Sequence, residues 1–558
     1  MSTDPGAPGG PTPPGGGQPT GGGAPPPAAA PRAHLSEDEQ MLHRLGYAQE
    51  LLRGWGGFSN FAISFTIISI LAGCLTSYYI AIGWGGPVAV TWGWLLVGGF
   101  CILVSLAMGE IASTYPTAGG LYYWSSRLGS PGWGWFTGWF NLVGQIAVTA
   151  AIDFGAATFI SSLMNLWFGY TLSKGHVFLT YTVIVALHGL INVFGPRLLA
   201  RINNISAWWH MAGVLVVVVV LIVVPDHHKS LSFVFTDTEN FSGFQGHGFG
   251  NPMFWVVFGI GLLMAQYTIT GYDASAHMSE ETRNASRTAA IGMVMSVVVS
   301  VIFGFILLVA VTFAIPDNVG DAAAQYGFAV QYIWENSMST KWAEFLLVIA
   351  CTAQFFCGLA SVTSASRMMF AFSRDRAIPG HQLWRHVSKR ERVPVNSIWA
   401  ICFLSWALML PTLKNPVVGY AVGTSVAVIG LYIAFVLPII LRYRAKESFE
   451  RGAWHLGNHY KWIDPLAIGW IVLICLLFLL PLFPDGIPGN SAVTGSHFLI
   501  DVNWIDVNYA PLTVGGAFLF FGGWWVISAK NWFKGPISMG SEAELEQIEA
   551  QIGGGAGD

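Results

Sequence analysis

The chain has 558 residues, of which 53% are hydrophobic and only 10% charged, with a formal net charge of -4 at pH 7. Soluble globular chains carry about 25% charged residues, so this composition excludes an ordinary soluble domain and points to an integral membrane protein whose largest partner is the lipid bilayer. Six cysteines (Cys74, Cys101, Cys351, Cys357, Cys402 and Cys475) fall in apolar stretches without metal or redox spacing; they read as small buried hydrophobes, so no disulfide, metal or cofactor is expected.

Residues 1–34 are dominated by Pro and Gly and lack the basic and apolar regions of a signal peptide, which reads as a disordered cytosolic tail. Residues 35–57 follow as an amphipathic pre-helix. Ser36 and Glu39 have capping-box spacing, and Met41, Leu42, Leu45, Ala48 and Leu52 share one helical face. Twelve apolar stretches then have the length of a membrane-crossing helix, near 58–82, 88–112, 133–163, 177–194, 204–224, 252–276, 288–315, 342–371, 396–412, 417–441, 463–484 and 507–528. They are called spans 1 to 12 below. With the N-terminus in the cytosol and twelve crossings, Lys174, Lys229, Lys341 and Lys414 fall outside and the rest of the 26 Lys and Arg fall inside. That asymmetry supports twelve spans with both ends cytosolic. Residues 536–558 form a cytosolic tail with a short acidic helix.

Spans 1 and 6 are irregular. Span 1 carries Ser69-Ile70-Leu71-Ala72-Gly73-Cys74 near its middle, and span 6 gathers Thr268, Thr270, Gly271 and Asp273 near its end. Small and polar residues at matching places five spans apart suggest an inverted repeat with broken helices, although small residues also serve plain helix packing. A broken helix exposes N–H groups that attract a carboxylate and C=O groups that attract an ammonium. No Lys or Arg lies deep in a span, so an anion there depends on backbone amides, with Ala72, Gly73 and Cys74 the candidate donors.

Three stretches carry a resemblance: "EIASTYPTAGGLYYWSS" (110–126), "GYDASAHMSEET" (271–282) and "SASRMMFAFSRDRAIP" (364–379). They resemble the amino acid–polyamine–organocation transporters. "LGYAQELLRG" (45–54) and "WFNLVGQIA" (139–147) are similar to the amino acid/choline branch, which includes GABA permeases. The resemblance implies an all-α membrane protein of twelve helices: a five-plus-five inverted repeat (the leucine-transporter fold, spans 1–10, residues 58–441) plus two C-terminal helices (442–535). It implies a secondary transporter of an amino acid or GABA-like zwitterion, not an enzyme, with spans 1, 2, 6 and 7 rocking against 3, 4, 8 and 9. The substrate carboxylate would sit on the amides of Ile70, Leu71, Ala72, Gly73 and Cys74, and its amine on the carbonyls of Tyr267, Thr268, Ile269 and Thr270. Span 1 departs from the Gly-x-Gly pattern of relatives, which leaves the donor geometry open.

Several side chains have two readings each. Asp273 maps to the family's acidic position and is either a proton-responsive carboxylate or a cap that shapes the break; His277, four residues on, reads as a polar residue near the interface. Asn141 and Gln145, also four apart, either face the cavity or bridge helices. Asp153 reads as an outer-half polar contact. His210 is either a coupling group or a helix-contact histidine. Ser361 and Ser364, with Thr363, either offer oxygens to sodium or bond their own backbone. Gln354 and Phe355 are placed at the cavity. Tyr272 with Tyr123, Trp124 and Trp139 would suit a quaternary ammonium, which keeps choline, ethanolamine or polyamine transport and solute exchange as alternatives. Glu110, Arg127, Glu280, Glu281, Arg283, Arg374 and Asp375 cluster on the inner side and are either a cytosolic gate or topology anchors, with Glu110 and Arg374 the gate candidates. The coupling ion is expected to be a proton, with sodium the alternative, and no nucleic-acid partner is expected. A membrane sensor or complex subunit is the non-transport alternative.

Overall fold

A computed structural model describes residues 35–316, 318–325, 327–487, 497–498, 500–501 and 506–553. The Pro/Gly tail and the last few glycine-rich residues lie outside these. Eleven helices are long and apolar enough to cross a membrane. Span 1 is Gly57–Ile68 plus Gly73–Gly83. Spans 2 to 5 are Gly86–Thr114, Pro131–Phe168, Lys174–Val193 and Pro196–Val223. Spans 7 to 9 are Ala285–Phe313, Thr340–Arg374 and Val395–Leu408. Spans 10 to 12 are Pro416–Ala445, Tyr460–Leu477 and Ala510–Trp524, the last running on through a π-turn to Trp532. The twelfth crossing is span 6. It falls short as one helix because it is cut into Pro252–Gly261, Leu263–Thr268 and Ala274–His277.

The local causes are simple. Pro87, Pro131, Pro196 and Pro252 open four of the spans, where a missing N–H costs nothing. Small residues let helices close on one another: a Cβ on Gly144 would meet Leu431 at 2.7 Å, and one on Gly304 would meet Trp94 at 2.2 Å. Span 3 packs on spans 8 and 10, and span 7 on spans 1 and 2. Large apolar side chains such as Trp208, Phe403, Leu519 and Ile527 stay exposed on the outer surface, as a lipid-facing belt requires.

The two ends of the described chain meet on one face, termed the terminal face. Helix Glu37–Arg44 lies beside helix Glu542–Gly553, with His43 Nε2 2.8 Å from Glu549 Oε1. The pre-helix is shorter than the 35–57 expected. It stops at Arg44, and Gly46 (φ 94°) turns the chain into a non-helical stretch in which Tyr47, Ala48, Leu51 and Trp55 are buried. Of the expected apolar face only Leu42 and Ala48 are buried, while Met41, Leu45 and Leu52 are half-buried, because beyond Arg44 the chain is no longer helical and the 3.6-residue period stops applying.

Candidate functional site

The breaks in spans 1 and 6 sit against each other. In span 1, Ser69 takes a left-handed conformation (φ 31°), and its carbonyl accepts from the amides of Ala72 (2.8 Å) and Gly73 (2.9 Å). Two of the five expected donors are therefore engaged within a tight turn. Among the described residues no acceptor meets the amides of Ile70, Leu71 or Cys74. Gly73 lies so close to span 6 that a Cβ would sit 2.6 Å from Thr268 Oγ1.

In span 6 the helix stops at Thr268 and resumes at Ala274, with Gly271 at φ 88°. Thr268 Oγ1 and Thr270 Oγ1 donate back to the carbonyls of Met264 (2.7 Å) and Gln266 (2.5 Å). The Ile269 carbonyl accepts from the Tyr432 hydroxyl at 3.0 Å. The carbonyls of Tyr267, Thr268 and Thr270 meet no donor among the described residues. Free amides on one broken helix thus lie beside free carbonyls on the other. The turn after the break is held to span 1: Ser64 Oγ donates to the Tyr272 carbonyl (2.9 Å), and Ser275 Oγ to the Asn60 carbonyl (2.9 Å).

His210 fixes the span 1 break. Its Nδ1 lies 2.8 Å from the Ser206 carbonyl and so carries the hydrogen; Nε2 then accepts from Ser69 Oγ at 2.6 Å. Gln354 Nε2 reaches the Leu71 carbonyl at 3.5 Å, and Cys357 Sγ donates to the Ile67 carbonyl at 3.2 Å.

Asp273 is fully buried. Its Oδ2 accepts from Gln145 Nε2 (2.9 Å) and Asn141 Nδ2 (3.4 Å), and lies 3.2 Å from His277 Nε2. His277 Nδ1 is 2.9 Å from the Ala118 carbonyl. A carbonyl only accepts, so Nδ1 carries a hydrogen, and the Nε2–Oδ2 contact requires one further proton on either atom. His277 is fully buried within the protein and is Asp273's partner. The helix does resume after the break, which is what brings residues four apart onto one face.

Other expectations disperse. Ser361 bonds Thr149 (2.7 Å), Thr363 bonds Asn192 (2.7 Å), and Ser364 has no hydrogen-bond partner among the described residues. Phe355 packs on His188 at 4.5 Å. Asp153 makes a polar contact with His188 at 3.1 Å, both fully buried. The aromatic box does not assemble: Tyr123 packs on Tyr47, Trp139 on Phe521, and Tyr272 on Phe435.

The terminal face is shut by buried ion pairs. Arg374 makes a two-pronged bond to Glu280 (2.9 and 2.8 Å), joining span 8 to the end of span 6. Arg367 joins Glu281 at 2.7 Å, and Arg442 joins Glu110 at 2.7 Å. Glu110 and Arg374 thus belong to separate closures. Glu280 and Glu281 belong to the inner charge cluster seen in the sequence, whereas Glu281's partner Arg367 and Glu110's partner Arg442 showed only as basic residues at span ends. On the opposite face a cavity of about 360 Å³ descends between Thr76, Phe154, Thr158 and Tyr420. Its floor is one turn from Gly73, where Tyr420 Oη donates to Thr76 Oγ1 at 2.9 Å.

Residues 56–516 match the family model described as "Amino acid permease". The chain is 39% identical over 517 residues to "Amino-acid permease BAT1" of Arabidopsis thaliana, covering 89% of this chain and 96% of that one. A rice homologue of it is 38% identical, with 89% and 95% covered. The "GABA-specific permease" of Saccharomyces cerevisiae is 27% identical, with 92% and 88% covered. The chain belongs to the amino acid permease family, and it is a multi-pass membrane transporter of amino acids and not an enzyme.

Proposed function

We propose that this permease couples one proton to the movement of an amino acid or GABA-like zwitterion across the cytoplasmic membrane, by alternating access, with the terminal face in the cytosol. The observation that carries the coupling is the buried proton that the Asp273–His277 contact requires. Asp273 lies on span 6 and its amide donors Asn141 and Gln145 on span 3. When the bundle of spans 1, 2, 6 and 7 rocks against spans 3, 4, 8 and 9, those donors withdraw and water reaches the pair, so the proton is exchanged with the side the site faces.

The substrate carboxylate is assigned to the amides of Ile70, Leu71 and Cys74, and its ammonium to the carbonyls of Tyr267, Thr268 and Thr270. What supports this is that each set is unengaged while its neighbours are satisfied. A proton is favoured over sodium because the span 8 group against the Ile67 carbonyl is a thiol, a poor ligand for a hard cation. The cavity on one face and ion pairs on the other fit an outward-facing state. Uptake in proteoliposomes across a pH series tests the reading: Asp273→Asn should flatten the pH dependence while leaving substrate exchange intact. An unchanged profile with retained uptake would remove Asp273 from the coupling role.

A further inference from the structure

The segment after span 12 returns across the closed terminal face and is tied down at three places. The amide of Ile537 donates to Asp375 Oδ1 at 2.9 Å, next in sequence to Arg374 of the closure. The amide of Met539 donates to the Gly46 carbonyl at 2.8 Å. Farther on, Glu549 Oε1 accepts from the amide of Gln49 (2.7 Å) and lies 2.8 Å from His43 Nε2. Leu545, in the same helix, is 2% exposed.

The stretch under this strap bridges the two halves that must part. On the span 8 side, Tyr47 Oη donates to Asp375 Oδ2 at 2.8 Å, and the Arg374 guanidinium lies 3.7 Å from the centre of the Tyr47 ring. On the span 6 side, Gln49 Nε2 donates to the Glu280 carbonyl at 2.7 Å, and Arg53 donates to the carbonyls of Ser279 and Thr282. Residues 47–53 cannot keep both sets when spans 6 and 8 separate. The strap's ties fall on Gln49 within this bridge, on His43 and Gly46 just before it, and on its Asp375 anchor.

We propose that residues 537–549 are an autoinhibitory strap that clamps the 43–53 bridge and keeps the terminal face shut until the strap lifts. This rests on the alternating-access reading above. Around Asp375 the titratable and charged groups are Tyr47 and Glu50 from the bridge, Arg374 from span 8 and Glu280 from the end of span 6, with Arg385 and Arg392 of the span 8–9 connection facing Glu50. Burial pushes the Asp375 carboxyl up to about 8, so the anchor is sensitive to cytosolic pH.

The test uses the full chain in proteoliposomes. The side chains of His43 and Glu549 meet at 2.8 Å, so a His43→Cys/Glu549→Cys pair can be oxidised onto a short dithiol that bridges the strap to the segment beneath it. Oxidation should stop transport and reductant should restore it, while Glu549→Ala should speed turnover roughly three- to tenfold, as expected for losing a charge-assisted hydrogen bond that is partly exposed. Hydrogen exchange over residues 43–53 should rise in Glu549→Ala. Transport at the reduced rate by the oxidised pair would overturn the strap, as would unchanged turnover in Glu549→Ala despite faster exchange. Absence of uptake by the wild type itself would instead overturn the transport reading, and is distinguished by being present before any substitution.

Discussion

Removing Glu280's charge tests how the terminal face is held. Arg374 and Glu280 have side chains 3% and 0% exposed, and the pair is two-pronged at 2.9 and 2.8 Å. Glu280 Oε1 also accepts from the Ala118 amide at 3.0 Å, so the carboxylate is satisfied on several sides. Breaking one partner of such a buried pair costs about 3–5 kcal/mol, because the other charge is left dry and alone. That cost falls on the closed state; once spans 6 and 8 part, water solvates Arg374. Glu280→Gln should therefore shift the balance toward terminal-face opening by roughly 150- to 5000-fold, at about 1.36 kcal/mol per factor of ten. A double substitution, Glu280→Gln with Arg374→Gln, removes the stranded charge and should recover much of the closed population. The assay is labelling of a cysteine placed on the terminal-face side of the break with a membrane-impermeant maleimide. Equal labelling of the wild type and Glu280→Gln, with the protein folded, would refute the assignment of this pair as the closure.

Three further outcomes follow from the geometry. Gly271→Ala places a Cβ 2.3 Å from Ile67 Cγ2 at a φ of 88°, so it should cost about 1–3 kcal/mol from overpacking alone and lower the melting temperature; pairing it with Ile67→Ala should return part of that loss, and no rescue would mean the break is not set by this contact. His210→Ala should weaken transport by freeing Ser69, yet leave the pH profile in place, because both imidazole nitrogens already serve neutral partners; a lost pH dependence would make His210 a coupling group. For Asp375, the closed face holds the carboxyl at about 8, against about 3.9 in water. Closure stability from this group is complete below about pH 4, declines by about 1.4 kcal/mol per unit from there to about pH 8, and is level above that. Protection of residues 43–53 from hydrogen exchange, taken relative to the intrinsic base-catalysed rate at each pH, should thus fall from acid to alkaline pH in the wild type and lose that dependence in Asp375→Asn.

Where the sequence was informative, a local physical rule was at work. Length and apolarity set the spans, and the small and polar clusters at Ser69–Cys74 and Thr268–Asp273 coincide with interruptions in the helices. The spacing of Asp273 and His277 already placed them on one face. What could not be read is which polar groups are already used. The Ser69 carbonyl takes two of the expected amides because Ser69 adopts a positive φ, which no pattern in that stretch requires. Glu280 meets Arg374 across 94 residues of chain, and Asp375 meets Tyr47 across 328; partner choice at such separations is decided by packing of whole helices. The aromatic grouping failed for the reverse reason: aromatic residues are abundant, and Tyr123, Trp139 and Tyr272 pack on other rings while Trp124 donates to the Tyr115 carbonyl.

In the proposed cycle, substrate moves with a proton held at the Asp273–His277 pair. The most direct measurement is proton entry into proteoliposomes, read with a trapped pH dye when amino acid is added outside under a clamped membrane potential. The wild type should acidify the lumen in step with substrate entry, and Asp273→Asn should carry substrate down its gradient without acidification. Substrate entry with no proton movement in the wild type, or acidification that persists in Asp273→Asn, would contradict it.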